Sequence, residues 1–176
     1  ATESGTQTVT LTITENESAP TVTLMSSASS ITENAGSSLT LTATLSGIVD
    51  ETVTVSISTS GTGTEGTDYS TISDITISAG DTTGTASFTP TDDSVYEGNE
   101  TGIVAISGVS GGGATESGTQ SVTLTITENE SAPTVTLTSS ASSIVENAGS
   151  SLTLTATLSG AADEDVVVSL STSGTG

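Results

Sequence analysis

The chain has 176 residues and a formal charge of −21, with 21 acidic side chains and no Lys, Arg, His or Cys. That inventory excludes side-chain ion pairs, disulfides, thiolate metal sites, and the His and Lys that usually serve as general bases and Schiff-base amines. It also excludes the cationic surface that nucleic-acid phosphates or an anionic membrane require. Every carboxylate is therefore solvated, protonated or neutralised by a cation from solution.

The first alternating run is VTLTIT (9–14), with Val, Leu and Ile on one face and Thr on the other. This is the period-two pattern of a half-buried strand in β-favouring residues. The acidic run ENESA and Pro20 follow it. Strands are then predicted near 21–26, 37–46, 52–59, 71–78, 84–90, 100–107 and 119–127. Gly-rich breaks such as SGIVDE, GTGTEGTD and SAGDTTG separate them. No helical period occurs, and no apolar run is long enough to span a bilayer. The start carries no secretory leader pattern, so the sequence reads as part of a mature or longer protein. Seven short strands in about 110 residues predict an all-β, seven-stranded antiparallel sandwich with an immunoglobulin-like layout. Its core is aliphatic, with Tyr69 and Phe88 as the large anchors.

The strand pattern repeats. Residues 1–63 and 114–176 align with an offset of 113 and 55 identities, the differences including Thr32/Val145, Thr52/Asp165 and Ile57/Leu170. A period this long suits a tandem array of whole domains rather than a solenoid. Pro20 and Pro133 set the phase: 1–19 is the last strand and linker of a preceding repeat, 20–132 a complete repeat, and 133–176 the first strands of a following one. Neighbouring repeats of the same chain are then the expected partners.

The stretch TDDSVYEGNE (91–100) holds Asp92, Asp93, Glu97 and Glu100 within ten positions. Two carboxylates about 4 Å apart repel by roughly 4 kcal/mol at an effective dielectric near 20, so such a cluster spreads out or recruits a cation. If strands alternate in direction, one pole collects Glu33, Asp68, Asp92, Asp93, Glu97, Glu128 and Glu130. The other collects Asp50, Glu51, Asp81 and Glu116. An all-oxygen ligand set suits calcium (Ca2+), which takes six to eight oxygens. The competing reading is an acidic end that only keeps the protein soluble.

The complete repeat resembles the Calx-beta domain of sodium–calcium exchangers and many bacterial surface proteins. The resemblance rests on ITENAG (31–36), TLSG (44–47), GTEGTDYS (63–70), TPTDDSVYEGNET (89–101) and VTLTITENE (122–130). It implies a seven-stranded Greek-key-like sandwich whose calcium-binding members use acids in these loops. Carried over, the ligand candidates are Glu33, Asp68, Asp92, Asp93, Glu97, Glu128 and Glu130, with Glu100 a ligand or a positioner of the loop. Two departures stand out. The exit run is Glu-Asn-Glu where the family is Asp-rich, and Gly102 replaces a common aromatic, which is expected to loosen packing.

Because ENESAP is also the linker to the next repeat, calcium there would stiffen the array, with Asp163, Glu164 and Asp165 of the following repeat close by. The expected function is a structural or adhesive module of an extracellular, bacterial cell-surface array. Self-association into a filament through exposed Thr-rich edge strands would extend it. The alternative is a carbohydrate- or protein-binding sandwich without calcium, using outward Thr ladders. An enzyme is not expected: Asp92 and Asp93 are adjacent and do not flank a substrate, and aromatic sugar platforms are missing.

Overall fold

The structure, a computed structural model, describes residues 1–2, 4–147 and 149–174. Residues 3, 148, 175 and 176 of the predicted flanking repeats lie outside the described residues. Between Thr21 and Thr127 the chain forms two packed sheets. The strands are β1 (Thr21–Ser26), β2 (Ser30–Thr32), β3 (Leu39–Leu45), β4 (Val53–Gly61), β5 (Ile75–Ile77), β6 (Thr83–Phe88), β7 (Val95–Tyr96), β8 (Glu100–Ser110), β9 (Thr115–Glu116) and β10 (Ser121–Thr127). One sheet runs β6-β3-β1-β9 and the other β2-β10-β8-β4-β5.

Alternation does what the sequence predicts. In β3, Leu39, Leu41, Ala43 and Leu45 point inward while Thr40 and Thr44 face solvent. Val53, Val55, Ile75, Ile77, Val104 and Leu124 complete the opposite face of the core and are fully buried. Each such side chain contributes about 1.5–3 kcal/mol on burial. Tyr69 and Phe88 stack in the centre, ring centroids 4.7 Å apart and 27° between planes.

Gly102 does not loosen this core; it admits the aromatics. A Cβ there would lie 2.8 Å from Cε2 of Phe88 and 3.6 Å from Cε1 of Tyr69. The rings of β6 and the 62–72 loop fill the space that an aromatic on β8 would take. Gly102→Val is therefore expected to cost about 1–3 kcal/mol through overpacking. It should appear as a lower urea midpoint with an unchanged slope.

The pairing is less uniform than predicted. The seven predicted strands form, β5 cut to three residues, and are joined by β2, β7 and β9, of two or three residues each, too short to carry an alternation signal. All three pair in parallel, β9 with β1 and β2 with β10 in the sandwich, and β7 with a short strand beyond it. The strand expected from 71 begins only at Ile75. Ahead of it, Asp74 accepts the Ile57 N–H (3.0 Å) and the Ser56 hydroxyl (3.1 Å) where β4 shifts register against β8. A carboxylate thus takes the place of strand backbone along that edge.

Beyond this core, β11 (Val135–Ser139) pairs with β12 (Leu154–Leu158), and β13 (Ala161–Ala162) joins β7 in parallel. Residues 9–14 match 122–127 in sequence but belong to no sheet, leaving Leu11 and Ile13 85% and 97% exposed. An alternating run becomes a strand only where a sheet edge receives it. No helix among the described residues is long and apolar enough to cross a membrane.

Candidate metal centre

Three backbone connections bring distant acids to one end of the sandwich. The parallel β2–β10 ladder aligns Ile31 with Ile126 and continues as Glu33 N–H to Thr127 O (3.0 Å), setting Glu33 beside the exit run 128–130. The β8–β10 ladder places Glu100 opposite Ile126. An isolated bridge between Tyr69 and Pro90, with Thr91 N–H to Asp68 O (2.9 Å), brings Asp68 to the 91–99 loop.

The result is three interlocked triads: Glu33–Asp93–Glu97, Glu33–Glu128–Glu130, and Asp68–Glu97–Glu100. Within each, one carboxylate oxygen per residue lies within 4.8 Å of the others. Seven of the eight sequence candidates meet here. Asp92 is exposed and belongs to no triad, though its charge reaches Glu130. Its neighbour Asp93, also exposed, reaches Glu33 and Glu97, and Oδ1 of Asp93 accepts the Val95 N–H (2.7 Å), shaping the loop.

Crowding shows in the proton affinities. Burial, then the charge of Glu128, pushes Glu33 up to about 7; the Asp93 N–H opposes this, and the charges of Glu130 and Asp93 add less. Burial, then the charges of Asp68 and Glu97, pushes Glu100 up to about 7. Glu97 and Glu130 are also raised, burial again leading. Asp163 of the segment that follows adds its charge to Glu97 and Glu100.

Glu128 runs the other way. Burial acts to raise it, but the N–H groups of Glu130, Glu97 and Gly98, together with the Glu130 side chain, outweigh burial and hold it at about 2. Its Oε2 accepts from Glu97 (2.7 Å) and Gly98 (2.8 Å), and its Oε1 from Asn129 and Glu130 (both 2.9 Å). A carboxylate offers about four lone-pair sites, so Glu128 is filled by N–H donors and pins the loop to the linker. Its own N–H donates to Asn99 Oδ1 (3.0 Å). No residue pattern marks Glu128 for this role; Gly98, with a φ of 76°, lets the loop turn its N–H inward.

Oε2 of Glu130 is shut off from solvent and meets no N–H or hydroxyl donor among the described residues, and close contact with the Glu128 carboxyl raises the proton affinity of Glu130. A buried, unpartnered carboxylate oxygen is costly unless something positive meets it. With only oxygen donors around it, the centre fits a hard divalent cation of calcium type.

Two acids that sequence reading passed over are structural. Glu65 accepts the Thr59 hydroxyl (2.6 Å) and the Ile72 N–H (2.7 Å), holding the loop that carries Asp68. Asp74 braces β4, as above.

Comparison with known proteins agrees on the fold. The apo-form Calx CBD1 domain superposes with a TM-score of 0.50 at 18% identity, over 62% of this chain and 98% of that one. CBD12 from CALX1.2 gives 0.49 at 19% identity, over 56% of this chain and 41% of that one, so the chain spans about two-fifths of its length. No curated protein matches the sequence. The family model described as the Calx-beta domain matches residues 15–130 and again 128–176. With both sheets, the loop motifs and most of its length accounted for, this chain belongs to the Calx-beta domain family.

Proposed function

We propose that the chain is a calcium-dependent structural module of a cell-surface array, in which the acidic pole of each sandwich fixes the linker to the next repeat. The observation that carries this reading is the solvent-shut Glu130 Oε2 among interlocked carboxylate triads, in a chain with no basic side chain to pair with them. Glu33, Asp68, Asp93, Glu97, Glu100 and Glu130 would hold the ion. Glu128 holds the loop and linker in register and adds its charge, and Asp92 stands at the rim. Bound calcium supplies the positive charge that relieves carboxylate repulsion. The protein's part is to bring residues 33, 68, 91–100 and 128–130 together on a rigid sandwich, so that neutralising one pole also immobilises the linker.

Isothermal titration of the chelated chain with calcium tests this. Extracellular modules bind at roughly 10⁻⁴–10⁻³ M, and saturable binding in or below that range, with magnesium weaker, is expected. Asp93→Asn keeps an acceptor for the Val95 N–H and removes a ligand charge, so it should weaken binding at least tenfold with the fold intact. No heat and no competition with a calcium dye would sink the calcium reading and leave a sandwich that binds sugar or protein without metal.

A further inference from the structure

We propose that Ile48–Val49 is a docking edge for the Val95–Tyr96 segment of another copy of this repeat, so that repeats join head to tail by parallel strand addition. One such joint is already visible. In β13, Ala161 and Ala162 align with Val95 and Tyr96, and the Asp163 N–H donates to Tyr96 O (3.2 Å). The repeat offset of 113 makes Ile48, Val49 and Asp50 the counterparts of Ala161, Ala162 and Asp163. The complete repeat therefore presents a second edge of the same kind, and Ile48 on it is 71% exposed.

The clefts beside the two edges correspond as well. Ala19, Pro20 and Val49 line a cleft of about 850 Å³. Their counterparts Ala132, Pro133 and Ala162 line one of about 300 Å³ that also contains Tyr96. The smaller cleft has Tyr96 at its wall; the larger has no such strand against Val49 and is closed instead by Gly80, Gly112 and Gly113. Three of the eight differences between the aligned stretches fall at 48, 49 and 52. Backbone pairing tolerates such change, and Ile-Val favours a strand more than Ala-Ala does. Both faces are acidic, with Glu17 and Asp50 on one and Glu97 on the other. Docking in the absence of a divalent ion therefore needs salt near 1 M, where the screening length is about 3 Å. The proposal does not depend on the calcium reading.

Asp163→Pro removes the N–H that Tyr96 O accepts and frees Val95–Tyr96 from its own chain. In about 1 M NaCl with chelator throughout, sedimentation velocity should show this variant forming concentration-dependent dimers and longer species. Adding Asp50→Pro should return it to monomer, because the docking edge loses the equivalent N–H. The chain lacks cysteine, so Ile48→Cys with Val95→Cys should oxidise to a ladder of linked chains, and Ile48→Cys with Thr85→Cys should not. If Asp163→Pro fails to fold, Ala161→Gly with Ala162→Gly weakens the resident strand against the Ile-Val edge instead, and the cysteine pair in that background decides. A ladder there supports the edge, and chains that stay monomeric at high concentration overturn it. Because chelator is present throughout, this result and the calcium result can fail separately.

Discussion

Calcium is expected to raise the unfolding midpoint of the chain by about 10 °C at pH 8, the equivalent of the roughly 2.7 kcal/mol that a ligand at a hundred times its Kd contributes. The dependence on pH is the sharper test, because its sign reverses with the metal. In chelator, Glu33 and Glu100 have folded pKa values near 7 against an ordinary 4.5, with burial the main cause and neighbouring carboxylates the next. A raised carboxylate stabilises the fold fully below its unfolded value and loses that contribution as pH climbs through its folded value. Each therefore costs up to about 3 kcal/mol by pH 8, and less in sum because the two share neighbours. Glu128 has the opposite sign: held near 2, it supports the fold above about 4.5 and is lost only as pH falls toward 2. Metal-free stability should thus peak near pH 5 and decline toward pH 8. With saturating calcium the slope inverts, since protons compete with the ion for the same oxygens. Thermal melts at both pH values, with and without chelator, give four midpoints. Parallel slopes in the two conditions would show that the carboxylate pole does not take the ion.

The parts of this molecule that sequence reveals are those written in periodicity. Alternation in LTLTATL and SVTLTIT marks β3 and β10 because each residue's side is fixed by the pleat. The same alternation in VTLTIT at 9–14 makes no strand, because a strand also needs an edge, which the pattern does not encode. Strand polarity went far enough to bring Glu33, Asp68, Asp93, Glu97, Glu128 and Glu130 to one pole. It did not separate Asp92 from Asp93, since which of two adjacent acids meets Glu33 and Glu97 depends on the turn that Val95 and Asp93 form. Nor did it reveal that Glu65 and Asp74 are braces: a carboxylate bonded to a backbone N–H and one awaiting a cation look alike in sequence. Gly102 was misleading for a related reason. Missing bulk on β8 is supplied by Phe88 and Tyr69 from elsewhere in the chain, and packing volume is conserved across a core rather than position by position.

Glu128→Gln and Glu130→Gln, two residues apart in one linker, should shift stability in opposite directions. Glu128 accepts four backbone N–H groups from both sides of the joint. An amide has one acceptor oxygen, and its NH2 would face N–H donors in place of the other. Hydrogen bonds to a charged group contribute roughly 1.5–3 kcal/mol each, so losing two of them and the charge should cost about 3 kcal/mol or more. That loss should appear in urea titrations in chelator, where no metal contributes. Because Glu97 and Gly98 lose their anchor, exchange of their amide hydrogens should quicken as well. Glu130 carries a buried oxygen that meets no N–H or hydroxyl donor and has a raised proton affinity, caused first by burial and then by contact with the Glu128 carboxyl. Neutralising it removes a repelled charge, so in chelator Glu130→Gln should be neutral or stabilising, while most of the gain from calcium disappears. A Glu128→Gln chain as stable as the parent in chelator would mean the four N–H bonds do not hold the linker. A Glu130→Gln chain that keeps the full calcium response would move the ion away from the orphaned oxygen.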